Sequence, residues 1–391
     1  MELKSRIWLK MNLIKEVYEI RKKYGSSIFR GLASFGLNFF SYLVGTKMPR
    51  GPLYVGYDVT FRCNFSCSYC NRWRIKKTGE LTTEEAKKMI RDLGRLRPWL
   101  LSFNGGEPLL RKDIFELIKE AKSQNILVDI NTNGWFLKEK AIELIDSGVD
   151  TISVSVEGCN SEIHDSIRKK PGSFKKIVEG IEEIKSLRRD KKPEIKVRAT
   201  INKSNFKELR DYIKFWEKIV DDVQIQPIHE SPSCFFQVPQ EMAFSDTDKK
   251  CFISFWDNLR KENNFLDLEF YREFPTFFFD KQKLHDKYTC FAGSFFIQID
   301  PYGHVYPCNE YISKIGSVKE KSIIKIWNSK KMRDFRRIMK DGLNKCVCWY
   351  NCNGTPNCYL TKVLGRKKPV DKAIKNNSEN VDLKSRRTFL K

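Results

Sequence analysis

The chain has 391 residues, 41% of them hydrophobic and 13% aromatic, which is enough for a sizeable core and too long for one minimal domain. This composition excludes disorder, collagen-like repeats and low complexity as the dominant state. Lys and Arg number 72 against 49 Asp and Glu, and the net charge of +23 either attracts the phosphates of nucleic acid or anionic lipid, or only keeps the surface soluble. The longest uncharged stretch, Gly31–Thr46, is shorter than the roughly 20 apolar residues of a membrane-spanning helix. No secretory signal is visible, so we expect a cytoplasmic protein.

Residues 1–50 are predicted to form a basic, aromatic helical extension. They hold ten Lys or Arg and three Glu, a net charge of +7. The apolar segment Phe29–Gly45, with Arg30 and Lys47 near its ends, is typical of a helix on an anionic membrane surface, here the inner face of the membrane. The segment also fits a helix packed against the bottom of the barrel, and both interpretations stay open.

Strands alternate with helices through residues 51–230. Six apolar, β-rich runs are predicted strands: Leu53–Val59, Trp99–Phe103, Ile126–Ile130, Thr151–Val156, Ile195–Thr200 and Val223–Gln226. Helical periodicity occupies most intervals between them: Thr82–Arg95, Asp113–Gln124, Leu137–Ser147, Ser173–Leu187 and Asn205–Val220. This alternation predicts an α/β fold with a parallel sheet, and six units favour a partial (β/α)6 barrel over the full eight-strand form.

Polar or metal-binding side chains follow each of the six predicted strands. The first strand runs into a loop with three cysteines, and the second and third run into Asn104–Pro108 and Asn131–Gly134. The last three strands lead to Glu157, to Asn202 and to Gln226-Pro227. Because the carboxyl ends of parallel strands share one rim of a barrel, the pattern predicts a functional site on that rim.

The three cysteines of the first loop, Cys63-Asn-Phe-Ser-Cys67-Ser-Tyr-Cys70, lie within eight residues. In a chain without a secretion signal, such spacing favours a metal site over disulfides. Thiolates so placed can hold an iron–sulfur cluster and leave one iron open. Zinc is the alternative, but it needs a fourth ligand, and the first histidine of the chain is His164.

The loop resembles the Cys-x3-Cys-x2-Cys signature of the radical S-adenosylmethionine (radical SAM) enzymes, with Tyr69 as the aromatic residue before the last cysteine. The resemblance extends over roughly residues 53–360. It implies that Cys63, Cys67 and Cys70 bind a [4Fe–4S] cluster whose open iron chelates S-adenosylmethionine (AdoMet). It also implies reductive cleavage of AdoMet to a 5′-deoxyadenosyl radical that abstracts hydrogen from a substrate, with an electron supplied by a donor such as flavodoxin or ferredoxin.

The same resemblance implies a set of cofactor-binding residues on the rim. The stretch Asn104–Pro108 is similar to the family's Gly-Gly-Glu motif for the methionyl amino group, and Ser153–Glu157 is similar to its ribose-binding strand, where many relatives carry Asp in place of Glu. The stretch Asp165–Arg168 would supply a partner for the cofactor carboxylate, and two further residues would lie near the adenosine. The implied cofactor-binding residues are Gly105, Gly106, Glu107, Asn133, Ser155, Glu157, Arg168 and Gln226.

The cysteine-rich residues 286–360 resemble a SPASM or twitch domain, which binds an auxiliary cluster. Its opening places Cys290 and Cys308 on either side of a predicted hairpin turn at Pro301–Gly303. Six cysteines cannot supply eight thiolates, so we expect one auxiliary [4Fe–4S] cluster; a structural zinc is the alternative. The expected ligands are Cys290, Cys308, Cys348 and Cys352, and whether Cys346 replaces Cys348 and what Cys358 does stay open.

The remaining segments carry weaker signals. Residues 231–285 are predicted to be an aromatic-rich bridge, whose six phenylalanines in Phe265–Phe279 would either form core at a domain junction or line an apolar channel. Residues 361–391 are predicted to be a basic, disordered tail.

These features predict a radical SAM enzyme that acts on a lipid or other membrane-associated apolar molecule, or on a peptide. The high positive charge suggests tRNA or nucleotide modification as an alternative, but no recognisable RNA-binding module accompanies it, so nucleic acid is not an expected partner. A non-enzymatic iron–sulfur electron carrier is a second alternative, although a carrier needs no residues for AdoMet.

Overall fold

The computed structural model describes residues 36–38, 40, 51–75, 78–230, 235–310, 313–340, 348–350 and 357–361. Its strands are β1 (Tyr54–Thr60), β2 (Leu100–Gly105), β3 (Leu127–Thr132), β4 (Thr151–Ser155), β5 (Glu194–Ile201), β6 (Asp222–Pro227), β7 (Phe296–Ile299), β8 (His304–Tyr306) and β9 (Gly316–Ser317). They form one sheet in the order β6-β5-β4-β3-β2-β1-β7-β8-β9.

Strands β1 to β6 pair in chain order, and every pair is parallel. The predicted α/β class and six-strand partial barrel are therefore confirmed, and each strand begins and ends within a few residues of its predicted bounds. Because the strands are parallel, all six carboxyl ends lie on the same rim.

The helices of the barrel region are α1 (Thr83–Leu96), α2 (Ile114–Ser123), α3 (Ala141–Asp146), α4 (Ser161–Arg168), α5 (Ser173–Leu187) and α6 (Leu209–Trp216). Helix α1 shows why they form where they do. The Thr82 side chain accepts the Glu85 N–H while the Glu85 carboxylate accepts the Thr82 N–H, which satisfies two otherwise open donors at the helix start. Its buried residues recur every three or four positions and face the sheet: Ala86, Met89, Ile90, Leu93 and Leu96.

Strand β7 is a feature that the sequence did not predict. The expected hairpin is present, since β7 and β8 pair antiparallel and Gly303 at their turn has a φ of +83°. In addition, β7 pairs parallel with β1, from Tyr54 opposite Phe296 to Tyr57 opposite Ile299. The start of the cysteine-rich region therefore extends the barrel sheet itself.

The aromatic bridge contains α7 (Lys249–Glu262), α8 (Glu269–Arg272), α9 (Phe274–Phe279) and α10 (Lys281–Lys287), and the chain continues after β9 with α11 (Ile323–Trp327) and α12 (Lys330–Lys340). Phe270, Phe274 and Phe277 are buried, and Phe274 stacks on Trp256 with ring centroids 5.0 Å apart. This packing favours the interpretation that these phenylalanines form core at a domain junction.

Several predictions concern residues outside the described ranges: most of Phe29–Gly45, the cysteines Cys346 and Cys352, and the basic tail from residue 362 onward. Within the N-terminal extension, Asn38 Nδ2 donates to the Gly51 carbonyl at 2.7 Å, while Phe40 is 64% exposed. In the part of the chain that the structure describes, no helix is both long and apolar enough to cross a membrane.

Candidate active site

The three-cysteine loop leaves the end of β1 on the rim. The Phe65 N–H donates to Cys63 Sγ at 3.4 Å, and Asn133 Nδ2 lies 3.9 Å from the same sulfur. The Arg168 guanidinium donates to Cys67 Sγ through Nη1 at 3.7 Å. Two residues that lie 70 and 101 positions from the cysteines they contact therefore direct polar hydrogens toward the sulfur atoms of the loop.

All three thiols are held in their neutral form by their surroundings. Burial raises the pKa of Cys63 to about 12, and the neighbouring Glu107, Cys67 and Cys70 raise it further. Burial also raises the pKa of Cys67 and of Cys70, although Arg168 opposes the shift at Cys67. A metal centre must supply enough positive charge to displace these protons.

The donor set of this loop fits an iron–sulfur cluster. Thiolates are the ligands that such clusters take, and two buried N–H groups beside them, Asn64 Nδ2 and Arg168 Nε, have no hydrogen-bond partner among the described residues. Among those same residues, no group of three or more His, Cys, Asp or Glu side chains is arranged to hold a single metal ion. The loop therefore offers soft ligands and unused polar hydrogens to a bound group.

Two glycines bring the end of β2 against the cysteine loop. Gly105 has a φ of +138°, and Gly106 donates its N–H to the Thr60 carbonyl at 2.8 Å. A Cβ at position 106 would lie 2.2 Å from the Arg62 carbonyl oxygen and 2.5 Å from that of Phe61. Only glycine allows this approach.

Replacing Gly106 by alanine is expected to displace the backbone that leads into Cys63, because neither carbonyl oxygen can move away as a flexible side chain would. We expect a loss of stability above about 2 kcal/mol and poor retention of iron after reconstitution. Chemical denaturation and iron analysis measure both effects. In Gly36→Ala the new Cβ meets open space, so equal losses in the two variants would contradict this interpretation.

Glu107 is fully buried, and its carboxylate is bound within the protein. Its oxygens accept hydrogen bonds from the Leu109 N–H at 3.1 Å, the Thr132 hydroxyl at 2.8 Å and the Asn133 N–H at 2.7 Å. Burial raises the pKa of Glu107 to about 7, against the opposing effect of these bonds. In this structure the side chain joins the end of β2 to the end of β3 and thereby positions Asn133.

Glu157 and Arg168, both predicted to bind the cofactor, form an ion pair with each other. Arg168 Nη2 donates to Glu157 Oε1 at 2.5 Å, the Tyr69 hydroxyl donates to the same oxygen at 2.9 Å, and the Thr200 N–H donates to Oε2 at 2.8 Å. All these groups are buried. The network links the cysteine loop through Tyr69 to the ends of β4 and β5 and to helix α4.

His164 binds the backbone of Glu157. Its Nδ1 accepts the Glu157 N–H at 3.1 Å, so the ring proton is on Nε2, which has no partner among the described residues. Burial lowers the pKa of His164 to about 3, and the nearby Arg168 lowers it further. The side chain is therefore neutral at physiological pH.

His164 is expected to make the cofactor-free protein less stable in mild acid. Its pKa of about 3 lies below the ordinary 6.5 of the unfolded chain, so the unfolded state binds more protons between these values. The free energy of unfolding therefore falls as pH falls below about 6.5, with a slope from this group that approaches 1.4 kcal/mol per pH unit.

The variant His164→Asn retains an acceptor for the Glu157 N–H and does not titrate. Urea unfolding of both proteins between about pH 5 and pH 7 is expected to give a shallower slope for the variant. Identical slopes would show that the unfolded state gains no extra proton at His164.

Ser155 and Gln226, the two remaining predicted cofactor residues, are half-buried near the ends of β4 and β6. Ser155 stands opposite Arg198 in the β4–β5 pairing, and Gln226 stands opposite Thr200 in the β5–β6 pairing. Ser153 points to the same face of β4 and donates to Asp129 at 2.7 Å. The structure thus places both residues on the rim side of the sheet, and Gln226 is the strand neighbour of Thr200, which donates to Glu157.

Of the expected auxiliary-cluster ligands, Cys290, Cys308 and Cys348 are half-buried. The residues after Cys348 are fixed to the end of β6: the Trp349 N–H donates to His229 Nε2 at 2.6 Å, and the Tyr350 ring stacks on His229 with centroids 4.0 Å apart. Cys358 is buried next to Tyr288. The short segment 348–350 is thereby brought to the barrel rim.

Sequence reasoning missed several residues around the site. Arg72 forms a buried ion pair with Asp58 at 2.8 Å and donates to the Gly105 carbonyl at 3.1 Å. His229 and Arg198 were not singled out either. The available signal was the alternation within each strand, which places Asp58 and Arg198 on the polar face, but their partners come from distant segments and leave no local pattern.

Comparison with known protein families identifies two regions of the chain. The model of the radical SAM superfamily matches residues 57–215, and the model of SPASM, an iron–sulfur cluster-binding domain, matches residues 290–353. The chain is a radical SAM enzyme with a C-terminal SPASM domain. Its cofactors are AdoMet and iron–sulfur clusters, as the resemblance implied.

Curated proteins similar to this radical SAM enzyme are named for different reactions. An AdoMet-dependent heme synthase of Methanosarcina barkeri is 26% identical over 78% of this chain and 90% of its own length. A probable GTP 3′,8-cyclase of Thermococcus kodakarensis is 32% identical over 50% of this chain and 60% of its own length. Two further AdoMet-dependent heme synthases are matched over less than half of their length, at 42% and 45%.

Solved structures share the fold at low sequence identity. Streptococcus suis SuiB bound to the precursor peptide SuiA has a TM-score of 0.60 and 15% identity, over 84% of this chain and 76% of its own. Native anSMEcpe with bound AdoMet and Cp18Cys peptide has a TM-score of 0.55 and 18% identity, over 80% of this chain and 96% of its own. These likenesses support the partial barrel followed by a SPASM domain.

Proposed function

We propose that Cys63, Cys67 and Cys70 hold the radical SAM cluster and that AdoMet binds beside them on the barrel rim. The observation that carries this assignment is the contact of Arg168 with Cys67 Sγ at 3.7 Å, which joins the cysteine loop to the Glu157 network. Bound there and reduced, the cluster would supply the one electron that cleaves AdoMet into methionine and a 5′-deoxyadenosyl radical.

The protein residues position the cofactor and keep water away from it. Asn133 is fixed by the bond of its N–H to Glu107 and by its own bond to Asn64 Oδ1 at 2.8 Å, so it presents a preorganised polar group next to Cys63. Arg168 retains an unpartnered N–H at Nε, which can donate to the cofactor carboxylate without breaking its pair with Glu157. Tyr69 is buried, and its hydrogen bond to Glu157 fixes the cysteine loop to the network.

The substrate that we propose to test first is a tetrapyrrole. The match to a heme synthase extends over 90% of that relative's length, and Fe-coproporphyrin III synthase and pre-heme d1 synthase are further relatives at 31% identity over shorter segments. A peptide is the second candidate, because PqqA peptide cyclase and a mycofactocin maturase are also similar. We further propose that Cys290, Cys308, Cys348 and Cys352 bind one auxiliary [4Fe–4S] cluster.

The decisive experiment reconstitutes the full chain with iron and sulfide under anaerobic conditions. Dithionite and AdoMet should yield 5′-deoxyadenosine, and a flavodoxin or ferredoxin with its reductase should replace dithionite. Iron and sulfide analysis should give two [4Fe–4S] clusters per chain. An iron porphyrin with carboxylate side chains, offered as substrate, should increase the rate of 5′-deoxyadenosine formation.

The outcomes separate the parts of this proposal. No 5′-deoxyadenosine above background, with the clusters intact by absorbance, would overturn the assignment of AdoMet cleavage. Stimulation by a precursor peptide but not by the porphyrin would replace the tetrapyrrole by the second candidate. A zinc-containing chain with one iron cluster would overturn the auxiliary-cluster assignment.

A further inference from the structure

The inner face of the barrel sheet is polar from β2 to β6. Each of these strands alternates between apolar residues that pack in the core under the helices and polar residues on the opposite face. One polar residue from each strand lies in a connected band across this face: Ser102, Asp129, Ser153, Arg198 and Gln224. An apolar substrate on this face would cover the charge of Arg198 without giving it a counter-ion, which is costly.

The carboxylate of the band is already satisfied. Asp129 accepts hydrogen bonds from the Ser102 hydroxyl at 2.8 Å, from the Ser153 hydroxyl at 2.7 Å and from Asn131 Nδ2 at 2.9 Å. Its oxygens accept from neutral donors on three strands, and among the described residues Asp129 forms no ion pair.

Arg198 is different, because its charge has only neutral partners. Its Nη1 donates to Asn131 Oδ1 at 3.0 Å, and Nη2 and Nε donate to Gln224 Oε1 at 2.9 and 3.3 Å. Among the residues that the structure describes, no carboxylate forms an ion pair with it. By contrast, Lys196 on the same face of the same strand pairs with both Glu194 and Asp222.

The position of Arg198 leaves it accessible to a ligand. It is half-buried, and Ser155 is the residue opposite it on β4. Its guanidinium reaches over β4 to Asn131 on β3, because β4 presents only short hydroxyl side chains on this face. Of its five N–H donors, three are used by these described partners, and the second hydrogens of Nη1 and Nη2 can donate to a carboxylate or a phosphate.

We infer that Arg198 binds an anionic group of the substrate, a carboxylate or a phosphate, on the inner face of the barrel. This inference rests on the proposed function, because the inner face is a substrate site only if the radical is generated on the adjoining rim. It makes Arg198 a specificity-determining residue and disfavours a substrate that is apolar throughout, such as a hydrocarbon chain.

The test measures anion binding by isothermal titration of the AdoMet-loaded, reconstituted full chain. The probes are glutarate, inorganic phosphate and glutaramide, the neutral counterpart of glutarate. Wild type should bind at least one anion and not glutaramide, and glutarate against phosphate identifies the source of the anionic group. Arg198→Gln should weaken anion binding by about tenfold or more, while Arg198→Lys should retain part of the affinity because it keeps the charge without the fork.

The matched control is Lys196→Gln, which removes the same charge from the same face but from a lysine that is already paired. Its anion affinity should stay within about twofold of wild type. Equal weakening in Lys196→Gln and Arg198→Gln would assign the effect to overall charge and overturn the inference. Absence of anion binding by wild type, or binding of glutaramide as tight as glutarate, would overturn it as well.

AdoMet affinity, measured by equilibrium dialysis, separates this inference from the proposed function. If Arg198→Gln loses AdoMet binding, Arg198 belongs to the cofactor site and the inference is wrong. If wild type binds glutarate through Arg198 but forms no 5′-deoxyadenosine, the proposed function fails while the anion site stands.

Discussion

Cys67→Ala is expected to reduce 5′-deoxyadenosine formation to background. A site with two remaining thiolates cannot hold a [4Fe–4S] cubane with one open iron, and Cys67 is also the sulfur that Arg168 contacts. The barrel should still fold, because its core is formed by the strands and helices and not by the loop. Product chromatography, iron analysis and circular dichroism of the anaerobic protein measure these three expectations.

The control for this variant is Cys251→Ala, which removes an exposed thiol of α7. It should retain wild-type iron content and cleavage. Residual cleavage by Cys67→Ala above background, with a cluster still visible in the spectrum, would show that Cys67 is not a ligand. Loss of activity in both variants would point to general oxidation damage instead.

Glu157→Gln is expected to cost on the order of 3 kcal/mol of unfolding free energy in the cofactor-free protein, because it leaves the Arg168 charge buried without its counter-ion. AdoMet affinity should also fall, since Arg168 is then free to leave its position beside Cys67. Urea denaturation under reducing conditions measures the first effect, and equilibrium dialysis with AdoMet measures the second.

An exposed ion pair provides the comparison for Glu157. Lys138 and Glu179 lie 3.2 Å apart on the surface, and Glu179→Gln should cost less than about 1 kcal/mol. The double variant Glu157→Gln with Arg168→Met should recover part of the stability, because it removes the uncompensated charge. If Glu157→Gln were no more destabilising than Glu179→Gln, the Glu157–Arg168 pair would not be a determinant of the fold.

Much of the barrel could be predicted from the sequence, because each strand and helix is marked by a pattern of residues that are adjacent in the chain. The six strands and the start of α1 at Thr82 follow from apolar runs and a capping pattern within a few residues. Helix α4 carried the Asp165–Arg168 motif but was not predicted as a helix, since it has only eight residues.

The candidate site also has one part that the local sequence indicates and one part that depends on the fold. The cysteine spacing is local and was visible, whereas the pairing of Glu157 with Arg168 and the bond of Tyr69 to Glu157 depend on three segments meeting in space. For the same reason, the hydrogen bonds that Glu107 accepts from the end of β3 could not be predicted from the local Gly-Gly-Glu motif.

The parallel pairing of β7 with β1 has a consequence for biosynthesis. Tyr54 and Phe296 are partners although about 240 positions separate them in the chain. During synthesis, β1 therefore cannot pair with β7 until most of the protein has been translated. During that interval its outer backbone N–H and C=O groups are available to strands of other nascent chains. Such late closure of a distant contact slows folding and lengthens the time for which this edge of β1 can pair with another chain.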